Sequence, residues 1–165
     1  MTTVAGPRIV VRVSELIVTD APATLVAVAL GSCVAVALHD PSTGVGGLAH
    51  VLLPSQAMGR ISGMPGRYAQ TAVPTLLERM IARGARAPAI VARLVGGASM
   101  FVSLTPPGTI QMGDRNVLAA REALHRNGIR LVGEAVGGDF GRTVEFDLTT
   151  GKITIGSYNR GGQVL

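Results

Sequence analysis

The only cysteine, Cys33, stands in Leu30-Gly31-Ser32-Cys33-Val34, and His50 follows in Gly47-Leu48-Ala49-His50-Val51-Leu52-Leu53-Pro54. A thiol that meets an imidazole becomes a nucleophile near neutral pH, because the ring takes the proton and holds the thiolate. That thiolate attacks a carbonyl carbon, and backbone N–H groups around Gly31, Ser32 and Cys33 could steady the resulting oxyanion. Gly31 admits substrate closely, and His50 returns the proton to the leaving group. The chemistry is acyl transfer. A lone cysteine beside an apolar strand is more often a small buried hydrophobe, and a histidine between Leu48 and Leu52 more often a core residue bonded to a carbonyl. The pair, set among glycines, favours the catalytic reading.

Positioning requires a hairpin. Asp40-Pro41-Ser42-Thr43-Gly44 is a turn between two apolar runs, so the block reads as strand, turn, strand. With the turn centred between Pro41 and Ser42, paired residue numbers sum to 83 and Cys33 lies opposite His50. Directly opposed residues have Cβ atoms about 4.5–5.5 Å apart, whereas a one-residue slip would send the two side chains to opposite faces.

Strands are expected at 9–13, 26–30, 33–39, 45–53, 89–95 and 129–136, each bounded by turn residues. The segment 143–148 alternates strictly and turns through Thr149-Thr150-Gly151 into 153–155, a C-terminal hairpin with one wet face. One helix carries Ala69, Ala72, Val73, Leu76, Leu77, Met80 and Ile81 on a stripe that stops at Gly84, with Pro74 as a kink point. A second runs from Asp114, read as its cap, through Val117, Ala120 and Leu124 to Gly128. No linker or internal repeat divides residues 1–165. The expected fold is a single-domain α/β sandwich, mixed and largely antiparallel, with its helices packed on sheet.

A second Gly-rich stretch, Val95-Gly96-Gly97-Ala98-Ser99-Met100-Phe101, lacks the G-x-G-x-x-G and Walker spacings and reads as a loop that lines the site, with Ser99 facing it. Gly113-Asp114-Arg115-Asn116 reads as no more than the opening of a helix. His39 and His125 read as solvated, and three scattered histidines with one cysteine supply no metal-ligand spacing, so no metal is expected.

Composition narrows the function further. The 165 residues are 47% hydrophobic and 15% charged, which excludes a disordered or fibrous chain. Fourteen arginines give a net charge of +5, but they are scattered, and aromatics at 3% leave few platforms for bases, so nucleic acid is not the expected partner. The uncharged run 21–38 is broken by Pro22 and Gly31-Ser32 and is rich in Val, which suits two buried strands better than a membrane span. With no secretory pattern at the N-terminus and one cysteine, the expected compartment is the cytoplasm.

Five motifs in order, Leu30-Gly31-Ser32-Cys33-Val34, Gly47-Leu48-Ala49-His50-Val51-Leu52-Leu53-Pro54, Pro65-Gly66-Arg67-Tyr68-Ala69, Gly96-Gly97-Ala98-Ser99-Met100-Phe101 and Gly113-x-Arg115-Asn116-Val117, resemble the CheD family of chemoreceptor glutamine deamidases. The likeness continues to Gly137-Gly138 and Arg142-x-Val144-Glu145. It implies an α/β sandwich in which Cys33 and His50 convert chosen glutamines of chemoreceptors to glutamate through a thioester, without a cofactor. The implied partners are the cytoplasmic domains of methyl-accepting chemotaxis proteins and a CheC-type phosphatase. The family's third catalytic member is a threonine six residues before the cysteine, and here Ala27 replaces it; Ala29 replaces a family glycine. Either a backbone carbonyl or another hydroxyl, with Thr24 or Ser32 as candidates, then orients His50, or activity is reduced and the chain is a binding adaptor.

Overall fold

The computed structural model describes residues 5–157 and 161–165. Its strands are β1 (Arg8–Val10), β2 (Leu16–Asp20), β3 (Thr24–Leu30), β4 (Val34–His39), β5 (Val45–Val51), β6 (Val91–Gly96), β7 (Arg130–Val136), β8 (Arg142–Asp147), β9 (Ile153–Ser157) and β10 (Gly161–Val164). Two helices, α1 (Ala69–Ala82) and α2 (Met112–Arg126), complete the regular structure, with short 3-10 turns between.

The strands form two five-stranded sheets, one ordered β1-β3-β8-β9-β10 and the other β2-β5-β4-β6-β7. Among these ten strands β1–β3 and β6–β7 pair in parallel and the other pairings are antiparallel. The mixed α/β sandwich expected from the sequence is therefore the architecture found.

Three layers follow from the side-chain pattern. β4 and β5 are buried on both faces, which explains their unbroken apolar sequences. Val34, Val36, Leu38, Ala49 and Val51 face α1 and α2. Their alternates Ala35, Ala37 and Leu48 face the other sheet, packing on Leu25, Ala27, Phe146 and Ile153. The period of two thus assigns each strand residue to the helix layer or the inter-sheet layer.

α1 lays Ala69, Ala72, Val73, Leu76 and Met80 on the sheet and ends before Gly84, whose φ of +106° permits the reversal. Pro74 lies within it on the exposed side. α2 begins earlier than expected: Gln111 is its N-cap residue, without a side-chain cap, and Asp114 sits in the first turn, where its charge suits the helix dipole.

Several expectations need correction. β2 and β10 were not anticipated. β2 is half-buried almost throughout and so lacks an alternating signal, while β10 opens on Gly161-Gly162, poor strand formers. His39 is not solvated: it is 4% exposed, its Nε2 lies 2.9 Å from the Leu148 carbonyl, and its ring meets Phe146 edge-on. It shares the parity of Ala35 and Ala37, so β4 carries it into the inter-sheet layer. His125 is exposed, as expected.

The hairpin register also differs. Asp40 and Val45 close a loop of four residues, with Asp40 N–H donating to Val45 O and Gly44 N–H to Asp40 O. The Asp40 carboxylate accepts from Ser42 N–H and Ser42 Oγ–H, and Gly44 takes φ +77°. This carboxylate-capped turn is two residues longer than a tight hairpin centred on Pro41-Ser42. Ala35 therefore pairs with His50, and Val34 with Val51.

Candidate active site

Because the turn is longer by two, each paired sum rises by two and the faces are unchanged. Cys33 lies one residue before β4, opposite Leu52 if the ladder is continued, and shares the inter-sheet parity of Ala35. Its half-buried side chain packs on the inter-sheet cluster. His50 points into the same layer, so Cys33 and His50 are diagonal neighbours rather than direct opposites. Diagonal Cβ separations run to about 7 Å, within the combined reach of a thiol and an imidazole. No hydrogen bond joins the two side chains, since His50 Nε2 has no partner.

His50 is 2% exposed and held at several points. Its main chain donates to Glu15 O at 3.0 Å and accepts from Ser14 N–H at 2.9 Å. Its Nδ1 lies 3.1 Å from Val11 O. A carbonyl only accepts, so Nδ1 carries the proton and, in the neutral ring, Nε2 presents a bare lone pair. Burial lowers the imidazole's pKa, opposed by the Val11 bond and the Glu15 charge. Burial likewise pushes the Cys33 thiol up. Both shifts favour a neutral thiol beside a neutral imidazole, not the resting ion pair expected from the sequence.

Position 27 offers no hydroxyl to the ring. Ala27 is fully buried in the inter-sheet layer, beside the Val26 carbonyl that accepts from Val11 N–H at 2.7 Å. Val11 therefore links the strand carrying Ala27 to His50 through main-chain atoms alone. Thr24 does not orient the ring: it has the opposite parity to Leu25 and Ala27, which face the inter-sheet core, and no bulge intervenes before Ala27. Nor does a Ser32 side-chain bond reach His50, whose ring is held by Val11 O.

The loop 31–33 is stitched to its neighbours by its carbonyls. Gly97 N–H donates to Cys33 O at 2.8 Å, and Ala98 N–H to Gly31 O at 2.9 Å. Gly96 has φ +113°, and a Cβ there would collide with Cys33 O, so the second Gly-rich stretch is dictated by close approach of two backbones. The Cys33 N–H lies against its own thiol, where it opposes part of the effect of burial. Ser99 follows the stitch at Ala98, and its N–H donates to Gly138 O. Arg142 secures that turn by donating to Gly137 O at 2.8 Å while its guanidinium covers the Phe140 ring at 4.3 Å. A groove lined by Ala29, Met100, Phe140 and Thr143 runs beside the loop, and a Cβ on Gly31 would come within 3.1 Å of Met100 Sδ.

Among the described residues no cluster of His, Cys, Asp and Glu could hold a metal, and no helix is long and apolar enough to cross a membrane. The sequence reading missed Val11, whose main-chain role leaves no mark on residue type, and Asn116, which it took for part of a helix opening.

The model of the family described as "CheD chemotactic sensory transduction" matches residues 52–157, which lie after both Cys33 and His50. The chain is 44% identical over 151 residues to a Geobacter sulfurreducens protein named probable chemoreceptor glutamine deamidase CheD 3, covering 91% of this chain and 93% of that one. It is 40% identical over 155 residues to the chemoreceptor glutamine deamidase CheD of Thermotoga maritima, covering 94% and 95%. Among solved structures, Neisseria meningitidis protein NMB0706 aligns with a TM-score of 0.49 at 12% identity, over 81% of this chain and 65% of that chain. On the family model and the identity to these relatives, the chain belongs to the CheD family.

Proposed function

We propose that this chain deamidates glutamine side chains of chemoreceptors, with Cys33 as nucleophile and His50 as general base and acid. The observation that carries the mechanism is the bare, buried Nε2 of His50 in the layer that also receives Cys33. The names of the relatives support the substrate.

The reaction runs in two halves. Nε2 takes the Cys33 proton as sulfur attacks the glutamine carbonyl carbon, and the N–H groups of residues 31–33 receive the negative oxygen. The imidazolium then protonates the amide nitrogen, the C–N bond breaks, and ammonia leaves a thioester. Water, deprotonated by the same Nε2, attacks the thioester and releases glutamate and the thiol. No cofactor takes part.

A protein substrate fits the surroundings. Met100, whose Sδ lies beside Gly31, is exposed, as are Phe101, Val102, Leu104 and Ile110 further along the same segment, so residues 100–110 offer apolar side chains of the kind that bind proteins. The substrate region is the cytoplasmic domain of methyl-accepting chemotaxis proteins, and a CheC-type phosphatase is a further partner. The test is mass spectrometry of receptor cytoplasmic fragments incubated with the chain. Glutamine-to-glutamate conversion by wild type and none by a folded Cys33→Ala variant is the expected result; an active Cys33→Ala variant overturns the reading.

Ala27 favours a second reading, an adaptor that binds receptor or phosphatase without turnover. Receptor binding with no conversion by wild type would establish it, and robust turnover would remove it.

A further inference from the structure

Asn116 is fully buried near the start of α2, where Val117, Ala120 and Leu124 seat the helix on the sheet. Its Nδ2 donates twice, to Ser32 O at 2.9 Å and to Leu52 O at 3.0 Å. Both neighbours are carbonyls, so the amide's orientation is fixed with nitrogen toward them. Oδ1 has no partner, and the side chain acts purely as a donor.

The two carbonyls belong to the two segments that carry the reacting groups. Ser32 immediately precedes Cys33, and Leu52 lies two residues past His50. They stand at the open end of the β4–β5 hairpin, remote from the Asp40 turn that closes the other end. Gly113 makes the approach possible: a Cβ there would collide with Gly97 O and Ala98 O. α2 lies on the helix side of this sheet, whereas Cys33 and His50 project from the opposite face.

Resting on the mechanism proposed above, we infer that Asn116 is a positioning residue whose single amide sets the separation of nucleophile and base. It touches neither substrate nor reacting atoms. It acts from behind the sheet, locking the loop before Cys33 to the strand end after His50. Displacements of about 1 Å at reacting centres can cost on the order of a hundredfold in rate, so loosening the clamp slows turnover.

The test uses the full chain with the near-isosteric Asn116→Asp, which loses the paired donors, and Asn116→Ser, which keeps one donor. For folded variants, kcat on a receptor fragment should fall, by about a hundredfold for Asn116→Asp and less for Asn116→Ser, with KM little changed. Iodoacetamide labelling of half-buried Cys33 should accelerate in the same proteins as its loop loosens, and amide exchange should rise together in residues 31–34 and 52–53. Unchanged kcat with unchanged exchange overturns the inference, as does a change confined to one of the two segments. In wild type the Asn116 side-chain amide protons should exchange slowly by NMR, and rapid exchange overturns the clamp even if neither variant folds. The exchange and labelling readouts need no turnover, so absence of deamidation by wild type would sink the proposed function without deciding the clamp.

Discussion

The carbonyl of Val11 accepts the Nδ1 proton of His50 at 3.1 Å, leaving Nε2 buried and unpartnered. A main-chain atom thereby fixes the tautomer of the buried ring, with Nδ1 protonated and Nε2 bare.

The resting pair should behave as neutral groups. Burial raises the thiol and lowers the imidazole. Iodoacetamide labelling of the free protein should therefore follow a thiol that titrates above its ordinary range, without a fast acidic phase. The same shifts predict a broad plateau for kcat/KM, because His50 stays unprotonated to a lower pH than an ordinary imidazole of about 6.5. Rapid labelling well below neutrality that vanishes in His50→Ala would show a resting ion pair and contradict this.

Ala27→Thr should add little to activity. Nδ1–H is already committed to Val11 O, so kcat should change by no more than about threefold. A hydroxyl in this fully buried position should lower stability by about 1 kcal/mol where it finds no partner. A gain of tenfold or more in deamidation would mean that the ring is poorly oriented without the side chain.

Much of this site was readable in the residues. Cys33 and His50 stood out by residue type, and the face they share survived only because the turn is longer by two, an even number that leaves parity unchanged. The register itself was not legible, because it depends on whether Asp40 caps Ser42 and lengthens the turn, a choice Pro41-Ser42 does not reveal. Thr24 failed as an orienter on parity alone, which only the observed bounds of β3 fix. Val11 was invisible for a different reason, since every residue carries the same carbonyl.

Asp40 should make the fold acid-sensitive. Burial alone would raise its carboxyl, but hydrogen bonds from Arg86 N–H and from Ser42 hold it down to about 2. The folded value lies below the ordinary carboxylate value of about 3.9, so this stabilisation is full above that pH and is lost as pH falls toward 2. It amounts to about 2 kcal/mol. Denaturant titrations at descending pH should show the loss in wild type and a flatter dependence in Asp40→Asn; identical slopes would contradict it.

Ala29 should be a point of removable strain. Its φ of +57° is left-handed, in the bulge between Ala27 and Leu30, where its N–H donates to Thr143 Oγ1 at 3.3 Å. An L-residue with a Cβ costs about 1–2 kcal/mol there, partly offset in glycine by unfolded-state entropy. Ala29→Gly should therefore stabilise the protein by about 0.5–1 kcal/mol, read as a Tm higher by roughly 2–3 °C. A lower Tm would contradict the assignment.

The central claim is a covalent thioester on Cys33 formed with the help of His50. Its most direct test is intact-mass analysis of rapidly quenched reactions with a glutamine-bearing receptor peptide. The predicted result is an adduct on Cys33 equal to the peptide less ammonia, greatly diminished in His50→Ala and absent from Cys33→Ala, which should also release no ammonia. Undiminished ammonia release by Cys33→Ala, with no adduct on the wild-type thiol, would contradict the account.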